Sequence, residues 1–141
     1  MAFNTGDSVE VSMKEEGFFG SYYPATILQQ FENKKYLVQY HTLLEEEDQN
    51  HMLQEVVSAA EIRPSPPKHI VMHYRTGDLV DVYDNDGWWV GKLTSRRKFN
   101  DYGVYFESSG DVIGYPVTKL RVHQEWKNGR WYLSRKKLNN Y

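Results

Sequence analysis

The sequence predicts a mainly β protein: two small antiparallel barrels in tandem, with one short helix. Three observations carry this: internal repetition, an apolar period of two, and a proline-rich break at mid-chain. Thr5-Gly6-Asp7-Ser8-Val9-Glu10-Val11 recurs 71 residues on as Thr76-Gly77-Asp78-Leu79-Val80-Asp81-Val82. Gly20-Ser21-Tyr22-Tyr23-Pro24-Ala25-Thr26-Ile27-Leu28 answers to Asp86-Gly87-Trp88-Trp89-Val90-Gly91-Lys92-Leu93 at an offset of 66, and Tyr36-Leu37-Val38-Gln39-Tyr40 pairs with Tyr102-Gly103-Val104-Tyr105-Phe106 at the same offset. Glu61-Ile62-Arg63-Pro64 has a looser echo in Lys119-Leu120-Arg121-Val122. Four matched blocks in one order mark a duplicated unit of about 60–65 residues, near the smallest size that buries enough surface to fold alone.

Within each copy, Ser8-Val9-Glu10-Val11 and Leu79-Val80-Asp81-Val82 alternate apolar with polar. The later blocks are rich in β-branched and aromatic residues, as half-buried strands require. Asp86-Gly87 and Asn128-Gly129 read as two-residue hairpin turns that accept positive φ, and Gly110-Asp111 is a weaker signal of the same kind. Four or five such strands curl into a small barrel. One stretch reads differently: in Gln49–Ala60, Leu53, Val56, Val57 and Ala60 fall at i, i+3, i+4 and i+7, predicting about two turns of helix in the first copy. The break is Arg63-Pro64-Ser65-Pro66-Pro67-Lys68, where proline fixes φ and removes amide donors. The predicted domains are therefore residues 1–67 and 68–141.

Composition narrows the function. At 141 residues a large multi-layer enzyme fold is excluded, and the absence of cysteine removes disulfides, thiol catalysis and thiolate metal sites. No apolar stretch is long enough to span a bilayer, and the polar start at Asn4-Thr5-Gly6-Asp7 predicts no signal peptide. Charge is uneven: residues 1–68 carry 11 acids against 5 bases, net −6, while residues 69–141 carry 8 against 12, net +4. Eleven Tyr, six Phe and four Trp, 15% of the chain, exceed what so small a core can bury with every polar handle satisfied. Some of these rings face a ligand or solvent.

His69 and His73 have the spacing of a helical metal pair, but they lie beside Pro66-Pro67 in a strand-like context without a further ligand. No metal, cofactor or small-molecule substrate is predicted. No phosphate loop, nucleophile elbow or Ser-His-Asp pattern is present, so the sequence predicts a non-enzyme. Nucleic acid is the secondary partner class: Arg96-Arg97-Lys98 and Arg135-Lys136-Lys137, interleaved with Trp and Tyr, offer phosphate contacts and stacking, against a near-neutral total and an acidic first half. A structural adaptor for an unmodified partner is a third reading.

The ordered set Gly6-Asp7-Ser8-Val9-Glu10-Val11, Ser21-Tyr22-Tyr23-Pro24-Ala25-Thr26-Ile27, Leu37-Val38-Gln39-Tyr40 and Glu61-Ile62-Arg63-Pro64 resembles the plant Agenet module of the Tudor-like Royal group. The second copy resembles another, and Trp126-Lys127-Asn128-Gly129-Arg130-Trp131 resembles the tail that often follows such a pair. The resemblance implies a nuclear chromatin reader that binds a histone tail carrying methylated lysine, in particular dimethylated lysine nine of the third core histone. No membrane association is implied.

The chemistry of such reading needs three ring faces and one acid. A methylated ammonium keeps its charge but loses donors and hydration, so aromatic faces attract it by about 0.5–2 kcal/mol each. A neighbouring carboxylate accepts the N–H that dimethyl-lysine retains and trimethyl-lysine lacks. In the first copy, the resemblance places the cage at Phe18, Tyr22, Tyr23 and Tyr40, with Asp48 as the acid and Glu45, Glu46 and Glu47 steering the peptide. Tyr22 and Tyr23 are adjacent, so a regular strand sends them to opposite faces and one packs elsewhere; Phe18 and Phe19 pose the same alternative. Trp88, Trp89 and Phe106 are the matching positions of the second copy, whose following loop, Glu107-Ser108-Ser109-Gly110-Asp111, is less acidic. The second copy is then expected to orient the peptide.

Overall fold

The computed structural model describes residues 2–13, 20–69, 73–96 and 101–134. The chain divides into two compact units, Met1–Pro66 and Pro67–Tyr141. In the first unit, strands β1 (Ser8–Ser12), β2 (Ser21–Phe31), β3 (Lys35–Leu44), β4 (Met52–Ser58) and β5 (Ile62–Pro64) run in the order β5-β1-β2-β3-β4, every pair antiparallel. The second unit repeats this with β6 (Leu79–Asp84), β7 (Gly87–Arg96), β8 (Asp101–Phe106), β9 (Asp111–Pro116) and β10 (Leu120–Val122), in the order β10-β6-β7-β8-β9. A hairpin of β11 (Gln124–Lys127) and β12 (Arg130–Leu133) follows.

Alternation decides what each strand buries. Along β2, Ser21, Tyr23, Ala25 and Ile27 are buried, while Tyr22, Pro24, Thr26 and Leu28 are half-exposed. The first core gathers these with Val9, Val11, Tyr36, Val38, Tyr40, Val57 and Ile62; the second gathers Val80, Val82, Leu93, Val104, Tyr115 and Leu120. Each fully buried aliphatic side chain contributes about 1.5–3 kcal/mol. Register slips between Ile27 and Gln29 and between Leu93 and Ser95, at matching points of the two copies, mark bulges that bend β2 and β7 as a curled sheet requires.

The repeated Thr-Gly-Asp has a specific task. Gly6 and Gly77 adopt φ of 92° and 93°, which a side chain disfavours. Their amides donate to Ile27 O (2.8 Å) and Leu93 O (2.7 Å), at the bulges. The Asp7 carboxylate accepts from the Asn4 amide and that of Asp78 from the Arg75 amide, both at 2.8 Å. The motif thus ties the entry of the first strand to the bend of the second.

A buried acid–arginine–ring stack also occurs in both units. In the first, Arg63 donates through Nη2 (2.8 Å) and Nε (3.2 Å) to Glu10, and its guanidinium lies 3.5 Å from the ring centre of Tyr22. In the second, Arg121 Nε donates to Asp81 (2.8 Å) and the guanidinium sits 3.9 Å from the ring centre of Trp88. Asp81 also pairs with His123 Nδ1 (2.6 Å), whose Nε2 lies 3.0 Å from Glu125. Burial pulls the His123 pKa down, but Asp81 and then Glu125 outweigh it, so the net shift is upward. Ser65 occupies the matching place in the first unit: its amide donates to Ser8 O as that of His123 does to Leu79 O.

Two sequence expectations are corrected. Gln49–Ala60 is not helical: Met52–Ser58 is β4, paired to β3, and only the Ala59–Glu61 stretch forms a 3₁₀ turn, with Ser58 bonded to Glu61. Two isolated helical turns are marginal, whereas a β-branched strand gains a ladder of hydrogen bonds along β3. In strand form Val57 points inward and Val56 is 52% exposed, so the apparent apolar face is split. The second unit has its own 3₁₀ turn at Val117–Lys119, so the single short helix gives way to one such turn before the last barrel strand of each unit. The β6–β7 turn also shifts by one residue: Asn85 and Asp86 carry positive φ (48° and 65°), and Gly87 opens β7 opposite Asp84. Asn128-Gly129 turns where predicted. Among the described residues, no helix is long and apolar enough to cross a membrane.

Candidate binding site

One end of the second unit holds a cavity of about 210 Å³ lined by Asp84, Asn85, Trp89, Phe106, Ser108, Ser109, Ile113 and Tyr115. Four neighbouring strands supply it. Asp84 ends β6, Trp89 lies near the start of β7, Phe106 ends β8, and Ile113 and Tyr115 come from β9. Inward alternation aims Phe106, Ile113 and Tyr115 to one side of the β8–β9 ladder, because Phe106 opposes Asp111, Val104 opposes Ile113 and Tyr102 opposes Tyr115.

Asp84 holds the rings in place. Trp89 Nε1 donates to its backbone oxygen and the Tyr115 hydroxyl to Oδ2, both at 2.7 Å. The Asn85 amide donates to Oδ1 at 2.8 Å. Each carboxylate oxygen has two acceptor positions, so the group keeps capacity for a further donor. Burial, then the bond to Asp84 and then its charge push the Tyr115 hydroxyl far above its ordinary pKa of 10. It therefore remains a neutral donor across the physiological range. Phe106 meets Tyr115 edge to face, with ring centres 6.2 Å apart at 84°. Asp86, Glu107 and Asp111 are exposed on the two turns flanking the cavity, so its rim is acidic although the unit as a whole is basic.

Gly91 makes room for this arrangement. A Cβ there would run into the Val104 side chain and stand 3.2 Å from Phe106 Cε1. The matching residue of the first unit is Ala25, fully buried opposite Tyr40.

The expected first-unit cage is not assembled from its described members. Tyr23 and Tyr40 are 2% and 0% exposed and belong to the core, because alternation turns them inward. Tyr22 lies on the other face of β2, under Arg63. Asp48 accepts from His51 Nδ1 (2.6 Å) and the Asn50 amide (3.1 Å), closing its own turn. Glu46 and Glu47 are exposed and Glu45 is half-buried. Phe18 and Phe19 lie outside the described residues. Of the second-unit candidates, the structure brings Trp89 and Phe106 together. It sends Trp88 to the opposite face, against Arg121 and Tyr83.

Sequence reasoning missed Asp84 and Tyr115. Extending the repeat alignment exposes both: Asp84 matches Met13 at the offset of 71, and Tyr115 matches Val57 at the offset of 58 set by Arg63 and Arg121. The first unit lacks the acid and the third ring at those places. His69 and His73 flank residues 70–72, which are not described, and no cluster of three or more potential metal ligands occurs among the described residues.

Two five-stranded barrels in tandem, one with a ring-lined acidic pocket at its end, define a pair of Tudor-like binding modules. The family model described as Agenet domain matches residues 6–67. A crystal structure titled Arabidopsis thaliana AGDP1 AGD34 is 35% identical, with a TM-score of 0.88, over 93% of this chain and 89% of that one. The ADCP1 tandem Agenet domain 3-4 is 32% identical with a TM-score of 0.83, over 93% and 87%. The chain belongs to the Agenet family, and the tandem structures extend the likeness across both units. Among curated proteins, Arabidopsis thaliana Protein AGENET DOMAIN (AGD)-CONTAINING P1 is 36% identical over 93% of this chain. DUF724 domain-containing protein 3 of the same plant is 34% identical over 87%. The chain spans only 25% and 18% of those two proteins.

Proposed function

We propose that this chain is a non-enzymatic chromatin reader that binds a histone tail at a methylated lysine, with the cage in the second module. The observation that carries this reading is the convergence of Trp89, Phe106 and Tyr115 with the Asp84 carboxylate around one open cavity. Three rings attract a poorly hydrated cation, and the spare acceptor capacity of Asp84 favours a dimethyl-lysine N–H over a trimethyl-lysine. The acidic rim suits a lysine- and arginine-rich tail. Lysine nine of the third core histone is the proposed mark, and nuclear residence belongs to the same proposal.

Calorimetric titration of the chain with tail peptides bearing zero, two or three methyl groups on that lysine tests it. The dimethyl peptide should bind at least tenfold more tightly than the bare one, and Trp89→Ala should erase the difference in a protein that still melts cooperatively. Equal affinity for bare and methylated peptides would end the proposal. Dominant, steeply salt-dependent binding to DNA or RNA would replace it with a phosphate-binding reading.

A further inference from the structure

The cage accounts for one side chain of a ligand but not for what holds the rest of an extended peptide. Strand β9 borders the cage and, among the described residues, pairs on one side only, to β8. Its proline fixes which amides face outward. In an antiparallel ladder, residues alternate between exchanging both hydrogen bonds with the partner and turning them away. Pro116 has no amide to donate and opposes Asp101, so it falls at a turned-away position; Gly114 and Val112, two and four residues earlier, share its parity. Their N–H and C=O groups therefore point to the open edge.

Exposed edges are normally blunted by charges, bulges or a covering segment. The corresponding strand of the first unit, β4, carries the exposed polar residues Gln54 and Glu55. The middle of β9 is uncharged: Val112 and Ile113 are each 42% exposed, and Gly114 is exposed beside them. A glycine inside a strand marks a place where another backbone can come close. Ile113 and Tyr115, on either side of it, both line the cage.

We propose that β9 is a docking edge: an extended, basic peptide adds as a sixth strand along Val112–Pro116 and is thereby held with its dimethyl-lysine in the cage. The inference rests on the reader function above and supplies its binding mode. Main-chain pairing gives affinity without regard to sequence, while the cage and the acids Asp86, Glu107 and Asp111 choose a basic, methylated strand. The continuity of the edge with the cage and the charge of the rim favour this occupant over a second copy of the chain.

Amide hydrogen exchange and calorimetry on the whole chain, with the dimethyl-lysine peptide, test the edge separately from the cage. Saturating peptide should slow exchange at Val112 and Gly114 by at least tenfold. Val112→Pro deletes an outward donor without touching the β8 ladder, and should weaken binding about fivefold to tenfold while the tryptophan fluorescence change at saturation matches that of the native chain. If Val112→Pro disturbs folding, a peptide N-methylated at the amides flanking its dimethyl-lysine should show the same loss on the native chain. Methyl-dependent binding with unchanged exchange at both amides would overturn the edge and leave the reader intact. Loss of methyl dependence itself would overturn both. Protection that follows protein concentration rather than peptide would assign the edge to a second copy and overturn the proposed occupant.

Discussion

The two modules share everything that bends and closes a barrel and differ in what one end of it presents. Both have the Thr-Gly-Asp turn, the bulge, the 3₁₀ turn and the acid–arginine–ring stack. At matched positions the first module has Met13, Tyr23, Tyr40 and Val57 where the second has Asp84, Trp89, Phe106 and Tyr115. Tyr23 and Tyr40 fill their core, whereas Trp89 and Phe106 line a cavity. Filling a core and lining a cavity are thus separable: Gly91 in place of Ala25 and a tyrosine in place of Val57 accompany the opening.

The strongest way to break this comparison is to truncate matched rings. Tyr40→Ala should cost about 3–5 kcal/mol of stability, read by denaturant unfolding followed through circular dichroism. Phe106→Ala should cost clearly less stability, yet weaken methyl-lysine binding by at least fivefold. Equal destabilisation by both would dissolve the distinction between core and cage. The matched arginines come next. Arg63→Ala leaves a nearly buried Glu10 uncompensated and should cost about 3–5 kcal/mol. Arg121→Ala should cost less, because Asp81 keeps His123 and the arginine is already 21% exposed. All four tryptophans lie in the second module, so their fluorescence follows its unfolding apart from the first.

Tyr115→Val converts a cage wall to the residue of the first module. It should lower affinity for the dimethyl peptide about tenfold by removing a ring and the donor that orients Asp84. An unchanged titration would remove Tyr115 from the site. The smallest effect concerns pH. The raised pKa of His123 means that its contribution to stability is complete below about pH 6.5, its ordinary value, and is lost as pH rises through the higher folded value. Stability read by tryptophan-monitored unfolding should therefore fall as pH rises over that window, and His123→Gln should flatten the dependence.

Much of the fold was legible because alternation and repetition are local. Val9 and Val11, or Val80 and Val82, declare an inward face by their spacing, and Gly6 and Gly77 declare a turn. Gln49–Ala60 misled because four apolar residues at helical spacing say nothing about an adjacent strand waiting to pair. The site was legible only in part: the offset of 66 brought Trp89 and Phe106 forward, but their module was expected only to orient the peptide.

The sequence by itself determined the duplicated β architecture and the surplus of rings, since each follows from neighbouring residues or a fixed repeat. Only the tertiary structure decided which rings are walls and which are filling. Tyr115 and Asp84 are 31 residues apart and meet through a single 2.7 Å hydrogen bond. Whether a ring such as Tyr40 or Phe106 ends in the core or in a cavity depends on volumes contributed by other strands, which no spacing along the chain records.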